Sequence, residues 1–76
     1  MQLEIITPDK KLYEGEATGV SLPGTDGSFK ILNHHAPMVA SLKQGIVKVD
    51  TASGIQQFPI NGGIVECGDN KVVVLA

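Results

Sequence analysis

The chain of 76 residues is predicted to form one domain, residues 1–76, with room for a single modest hydrophobic core. Its six basic and eight acidic residues give a formal net charge of -2, and no basic stripe is present; this disfavours nucleic-acid binding. The single cysteine excludes an internal disulfide framework and is typical of a reducing compartment, and no apolar run approaches the ~18 residues of a membrane-spanning helix.

Alternating apolar and polar residues predict nine short strands, separated by turns rich in glycine, proline, asparagine and aspartate. In chain order these strands are Leu3–Thr7, Leu12–Glu14, Ala17–Leu22, Ser28–Ile31, Met38–Leu42, Ile46–Asp50, Gln56–Ile60, Ile64–Cys67 and Lys71–Leu75. No segment shows the 3.6-residue period of a helix. The pattern therefore predicts an all-β fold, a flattened antiparallel β-sandwich or barrel of about nine to ten short strands.

The apolar residues of these strands predict the hydrophobic core. Its expected members are Leu3, Ile5, Val20, Leu22, Phe29, Ile31, Val39, Leu42, Val47, Val49, Phe58, Ile60, Ile64, Val65, Val72 and Val74. Adjacent apolar residues such as Ile5 and Ile6 indicate strands covered on both faces, by the facing sheet on one side and by a partner protein on the other. A core this small rarely contributes more than roughly 3–5 kcal/mol, which also favours a permanent partner.

Both histidines of the chain, His34 and His35, lie in the polar turn before Met38. Adjacent residues of a strand or turn point in different directions, so these two side chains are poor co-ligands for one metal ion. Neither Asp26 nor Cys67 stands at a metal-ligand spacing from them, and no nucleophile with an orienting carboxylate accompanies them. Two interpretations stay open: a turn histidine bonded to the local backbone, or a histidine at a protein interface.

The glycines and the cysteine indicate no cofactor site. No glycine stands in the strand–loop–helix context of a phosphate-binding loop, so turn geometry is the expected role of Gly24, Gly27, Gly45, Gly62, Gly63 and Gly68. Gly62 and Gly63 are also expected to allow close packing of backbone against a neighbour. Cys67 is expected to be a small buried hydrophobic residue. No catalytic residue, bound metal or cofactor is predicted.

The order of several short motifs resembles the epsilon subunit of F-type ATP synthases, a small subunit of the central rotor. The most specific motif is Gly-x-Phe-x-Ile from Gly27, followed after a short spacer by His-Ala-Pro-Met from His35. Together the matching segments cover nearly the whole chain; they are Leu3–Pro8, Leu12–Gly15, Gly27–Met38, Leu42–Val49, Asn61–Glu66 and Lys71–Ala76.

This resemblance implies a non-catalytic subunit that couples proton flow to ATP synthesis. The implied partners are the gamma subunit and the membrane ring, and no homo-oligomer is expected. The implied location is the cytoplasmic side of the bacterial plasma membrane, peripheral and within the complex. By position in the family motifs, the expected ring contacts are Gly27, Ser28, Asn33, His34 and His35. The expected gamma contacts are Thr7, Ser41 and Asn61.

The sequence departs from the family pattern at several positions. Glycine is common in the family where Lys30 and His34 stand, and proline is common where Asn33 stands. Asparagine can adopt a positive φ, so a turn at this position stays compatible with Asn33. Ser28 stands where many members have an acidic residue facing the ring. Most members also continue beyond the position of Ala76 into a two-helix domain that inhibits ATP hydrolysis and in some binds ATP, and those activities are expected to be missing.

Two other function classes stay open at this point. The first is a free-standing β-sandwich module that binds a peptide or small ligand, which predicts a stable monomer with no affinity for a gamma subunit. The second is a small metal-dependent hydrolase that uses His34, His35 and Asp26, which predicts stoichiometric metal.

Overall fold

The computed structural model describes residues 1–76 and contains nine strands and no helix. The strands are β1 Gln2–Ile6, β2 Lys11–Glu16, β3 Gly19–Gly24, β4 Gly27–Leu32, β5 Met38–Leu42, β6 Gly45–Thr51, β7 Gly54–Ile60, β8 Gly63–Gly68 and β9 Lys71–Leu75. Each predicted strand is present, so the all-β prediction is confirmed. No element is a helix of the length and hydropathy needed to cross a bilayer.

The strands form two layers. The first sheet has the order β2-β1-β9-β8-β5, and the second sheet consists of β6 between β7 and β3, with β4 on the other side of β3. A single residue pair, Gly24 opposite Leu42, joins β3 to β5 and makes the two layers one continuous nine-stranded sheet. All pairings are antiparallel except that of β1 with β9, which is parallel. This parallel pair is the one departure from the predicted antiparallel pairing.

The core lies between the two sheets, where every second residue of each strand points inward. Its fully buried large side chains are Leu3, Ile5, Val20, Leu22, Ile31, Val47, Val49, Val65, Val72 and Val74. Leu42 and Ile60 are also buried, whereas Phe29 and Phe58 are half-buried and pack against the core. The structure adds Met1 and Ala17, and it confirms the burial of Cys67.

Two residues predicted to be in the core lie outside it. Val39 is 66% exposed and Ile64 is 36% exposed. In β8 the inward positions are occupied by Val65 and Cys67, so Ile64 points to the outer face of the first sheet. Val39 lies opposite Glu66 on the same outer face.

Two close contacts hold strands together: an aromatic pair between two edge strands, and a tight approach of backbones at Gly63. The rings of Tyr13 and Phe58, from the edge strands β2 and β7, meet edge to face with centroids 5.8 Å apart. At the start of β8, Gly63 has a φ of 142°, and a Cβ there would run into the carbonyl oxygen of Leu75 and come within 2.9 Å of the Cα of Ala76. This confirms that the Gly62–Gly63 pair allows close packing of backbone.

Candidate functional site

The outer face of the first sheet carries a contiguous apolar surface. Ile6, Leu75 and Ile64 lie directly opposite one another on β1, β9 and β8. Val73 and Val39 lie in the next row of the same face, diagonal to Ile64. Leu75 is 44% exposed, in addition to the exposed Val39 and Ile64. We call these five residues the apolar face. Ile6 and Val73 are half-buried and the other three are exposed, and a cluster of this kind is a candidate interaction site.

Charged side chains border the apolar face, and one of them, Glu66, lies within it. Lys11 Nζ lies 3.3 Å from a carboxylate oxygen of Glu14 and 3.6 Å from one of Glu4. Lys71 Nζ lies 3.5 Å from the other oxygen of Glu4. The hydrogen bond that Lys11 donates to Glu14 raises the pKa of Lys11, so this ammonium stays charged. Glu66, between Val73 and Val39, takes part in none of the ion pairs and gives this face an uncompensated negative charge.

The three residues predicted to contact gamma lie along one border of the apolar face. Thr7 directly follows β1, and its hydroxyl donates a hydrogen bond to the Lys10 carbonyl at 2.9 Å. Ser41 lies opposite Ile64, and its hydroxyl is bonded to that of Thr25. Asn61 precedes β8, whose first residue packs against the end of β9. The structure therefore places Thr7, Ser41 and Asn61 at the same end of the first sheet, where β1 and β5 end and β8 begins.

The five residues predicted to contact the ring are divided between the two ends of β4. Gly27 and Ser28 begin this strand, whereas Asn33, His34 and His35 follow its last residue, Leu32. At about 3.3 Å per residue, the two groups are about 17 Å apart. The structure therefore does not join them into one contact point.

An open groove beside Gly27 was not anticipated from the sequence. Since β4 pairs only with β3, and β5 meets β3 only at Leu42, the facing edges of β4 and β5 stay unpaired. The groove between them has a volume of about 420 Å³ and is lined by Gly24, Thr25, Asp26, Gly27, Phe29, Met38, Val39, Ala40 and Ser41. It follows from strand pairing that is distant in sequence, so the sequence carries no local signal for it.

The segment Asn33–His35, which we call the histidine turn, is tied to the rest of the fold. The residue with positive φ is His34, at 61°, where the family commonly has glycine. His34 donates its backbone N–H to the side-chain oxygen of Asn70 at 2.9 Å. The side-chain oxygen of Asn33 accepts a hydrogen bond from the ammonium group of Met1, which also donates to the Ala17 carbonyl at 2.8 Å. The bond to Asn70, 36 residues away, connects the histidine turn to the turn between β8 and β9.

The residues proposed for a hydrolytic metal site do not come together. Asp26 lies in the turn before β4 and the histidines lie after it, and no cluster of three or more histidine, cysteine or acidic side chains is placed to hold a metal ion. Cys67 points inward, and burial raises the pKa of its thiol. The structure therefore overturns the grouping of His34, His35 and Asp26 as a catalytic site.

Comparison with known sequences identifies relatives along the whole chain. The family model described as the beta-sandwich domain of the ATP synthase delta/epsilon chain matches residues 1–76. The ATP synthase epsilon chain of Chlorobium limicola is 41% identical over 75 residues, which are 97% of this chain and 85% of that protein. The ATP synthase epsilon chain of Leptospira interrogans is 37% identical over 75 residues, and here the match covers 99% of this chain but 59% of the relative.

Solved structures show the same fold. A chain of the Tetrahymena thermophila mitochondrial ATP synthase, from a cryo-EM structure of its central stalk and c-ring, superposes with a TM-score of 0.84 at 20% identity, covering 97% of this chain and 60% of that chain. A chain of the Euglena gracilis mitochondrial ATP synthase superposes with a TM-score of 0.89 at 22% identity, covering 97% of this chain and 48% of that chain.

Proposed function

This chain belongs to the family of ATP synthase delta and epsilon chains, of which it is the β-sandwich domain, and from this premise we propose that it is a subunit of the ATP synthase rotor. In this role it joins the gamma subunit to the proton-driven membrane ring and turns with both. It couples proton flow to ATP synthesis from the cytoplasmic side of a bacterial membrane, peripheral to the bilayer. The observation that carries the proposal is the family match along the whole chain, together with an apolar face suited to a permanent partner.

The apolar face is the proposed docking surface for gamma. The fully buried centre of a protein interface is more apolar than ordinary surface, and a few well-packed large side chains supply most of its binding energy. Ile64, Leu75 and Val39 have this character. The three polar residues predicted from the family motifs lie at the end of the first sheet where Ile64 and Leu75 stand. In this proposal Thr7, Ser41 and Asn61 form part of the polar rim, and the apolar residues provide most of the affinity.

The charges around the apolar face indicate which groups a complementary gamma surface would carry. Glu4 and Glu14 share Lys11, and Glu66 has no cationic partner within the chain. A partner surface with an apolar centre and basic groups opposite Glu66 and Glu14 complements this pattern. Opposite charges of this kind speed association and fix the orientation of the partner more than they add affinity.

No chemical step is assigned to this chain, and its proposed contribution is mechanical. Of 46 hydrogen bonds between backbone groups, 38 lie within the strands, so the two sheets form a stiff body with short connections. A stiff body transmits torque between two partners with little loss to internal deformation. The proposal therefore requires two attachment surfaces and no catalytic residue.

The proposed ring contacts form a line along β4 instead of a point. Gly27 and Ser28 lie at one end of this strand and the histidine turn lies at the other, about 17 Å away. A ring of identical membrane subunits presents a series of polar loops, which suits an extended contact of this length. The chain spans 59% to 85% of the two relatives described above.

The experiment that tests the proposal measures binding of the purified chain to the gamma subunit and to the membrane ring of the same organism. A one-to-one complex with gamma, tighter than micromolar, and recruitment of the ring to that complex are expected. A well-folded chain that does not bind gamma at micromolar concentration would overturn the rotor proposal. That result would favour the alternative of a free-standing module that binds a peptide or small ligand.

A further inference from the structure

The histidine turn is held in one conformation by a residue far away in the sequence. His34 has a left-handed backbone with φ of 61°, which costs a non-glycine residue energy unless its surroundings fix it. Its N–H is bonded to the side chain of Asn70, which lies in the turn between β8 and β9. The Asn70 carbonyl in turn accepts the N–H of Gln2 at 3.1 Å. One asparagine thus connects the turn to the first sheet.

The ring of His35 has a defined pattern of hydrogen-bonding groups. Its Nδ1 lies 2.7 Å from the carbonyl oxygen of Ala36, and Nδ1 is the only ring nitrogen with a partner in the chain. Because a carbonyl oxygen can only accept, the proton of this bond resides on Nδ1. The neutral ring therefore has a free lone pair on Nε2. The residue is exposed, so this lone pair is available to a partner.

The backbone of His35 is fixed on both sides of the residue. Its N–H donates to the Leu32 carbonyl at 3.3 Å, and its own carbonyl accepts a weak hydrogen bond from the Cys67 thiol at 3.9 Å. Together with the Asn70 bond at His34, these contacts fix the backbone that carries the imidazole, and the bond of Nδ1 to the Ala36 carbonyl orients the ring. A group ordered in advance binds with a smaller loss of conformational entropy.

We propose that the histidine turn is a preset recognition element in which Asn70 fixes the backbone and His35 offers the Nε2 lone pair to a hydrogen-bond donor of the membrane ring. The donor is a backbone N–H, a side-chain amide or hydroxyl, or a guanidinium group of a polar loop. A carboxylate does not fit the neutral ring, because both groups accept. The identity of the ring as partner rests on the proposed function; the role of Asn70 and the tautomer of His35 do not.

The tautomer is tested directly on the full chain by nitrogen-15 NMR of the imidazole rings at a pH where they are neutral. The expected spectrum of His35 shows a protonated Nδ1 and an unprotonated Nε2, because the Ala36 carbonyl selects this form. A ring with its proton on Nε2 overturns the acceptor assignment, whether or not the chain binds any partner.

The role of Asn70 is tested by hydrogen exchange at the His34 amide. Asn70→Gly keeps the left-handed backbone but removes the acceptor, and a three- to tenfold faster exchange of this amide is expected, roughly the value of one hydrogen bond. Asn70→Asp restores the acceptor and slow exchange. Asp69→Gly is the matched control, since Asp69 has a φ of 51° in the same turn and no bond to His34. Equal exchange in Asn70→Gly and Asp69→Gly overturns the positioning role.

The contact between His35 and the ring is tested by binding of two His35 variants to the purified ring. In His35→Gln an amide oxygen replaces the Nε2 acceptor at a similar reach, and affinity within a few-fold of the unmodified chain is expected. His35→Asn has no acceptor at that reach, and a loss of about tenfold is expected. Equal affinity of the Asn variant and the unmodified chain overturns the contact. If the unmodified chain fails to bind the ring, the proposed function fails, and with it the choice of partner.

Discussion

The outer faces of the two sheets expose the same number of large apolar side chains but arrange them differently. On the first sheet, Ile64 and Leu75 are directly paired and Val39 is their diagonal neighbour. On the second sheet, Leu32 and Ile55 lie on the outermost strands β4 and β7, with Gly19 and Asp50 between them. Ile46 is separated from both by a line of polar cross-strand neighbours, Lys30, Ser21, Lys48 and Gln57. Only the first face is contiguous.

This difference shows that the arrangement of exposed apolar residues matters more than their number. Single exposed hydrophobic residues are normal on a protein surface, whereas a contiguous cluster bordered by charges marks an interface. The second face is instead crossed by an ion pair of 2.6 Å between Lys30 and Asp50, which lies above Gly19. The first sheet is therefore the surface that we propose for docking of gamma.

The largest effect on stability is expected from a core truncation on the second sheet. Ile31 is fully buried, so Ile31→Ala should lower the free energy of unfolding by about 2–5 kcal/mol. Ile55→Ala, on the outer face of the same sheet, should change it by less than about 0.5 kcal/mol, because Ile55 is 66% exposed. Urea denaturation measures both. Similar losses in the two variants would show that the outer face of the second sheet is not ordinary solvent-exposed surface.

A smaller loss of stability is expected from a methyl group added at Gly63, beside the residues of the apolar face. Gly63→Ala pushes against Leu75 and Ala76, and it should cost about 1–3 kcal/mol and weaken gamma binding. Gly54→Ala is the control, because Gly54 has a similarly positive φ of 124° but nothing within 4 Å of the added methyl. The difference in unfolding free energy between the two variants isolates the steric clash. If both lose the same stability, backbone strain alone explains the effect and the close packing at Leu75 is unimportant.

The smallest effect is expected from the ion pair on the second face. Asp50→Asn removes the charge that faces Lys30, and since both side chains are partly exposed, the loss of stability should be at most about 1 kcal/mol. The loss should shrink at high salt, which screens surface charges. Thermal unfolding at low and high salt measures it, together with an unchanged affinity for gamma. A weakened gamma complex would mean that the second face also docks a partner.

Most of the strand pattern could be predicted from the sequence because alternation and turn chemistry are local properties. The face of each residue was predicted less well, as Ile64 and Val39 show. In β8, Ile64 and Glu66 point to one face of the sheet, and Val65 and Cys67 point to the other. The charge of Glu66 indicates that its face, and therefore Ile64, points to solvent. In β5, the polar residue Ser41 lies on the same face as Val39 and indicates that this face also points to solvent. These polar neighbours would have assigned both residues to the outer face.

Long-range pairing explains what the sequence could not predict. The parallel pairing of β1 with β9 brings Ile6 beside Leu75, and no local pattern specifies which strands become neighbours. The histidine turn has its left-handed residue at His34 because Asn70, 36 residues away, accepts its N–H.

The most direct test of gamma docking on the first sheet is a pair of binding isotherms with purified gamma. Ile64→Asp places a charge in the apolar face, and Ile55→Asp places the same charge on the outer face of the second sheet. We predict that Ile64→Asp weakens binding at least about a hundredfold, the loss typical of a central interface residue, and that Ile55→Asp binds like the unmodified chain. Circular dichroism of both variants verifies that they fold. Folded Ile64→Asp that binds gamma as tightly as Ile55→Asp would contradict the assignment.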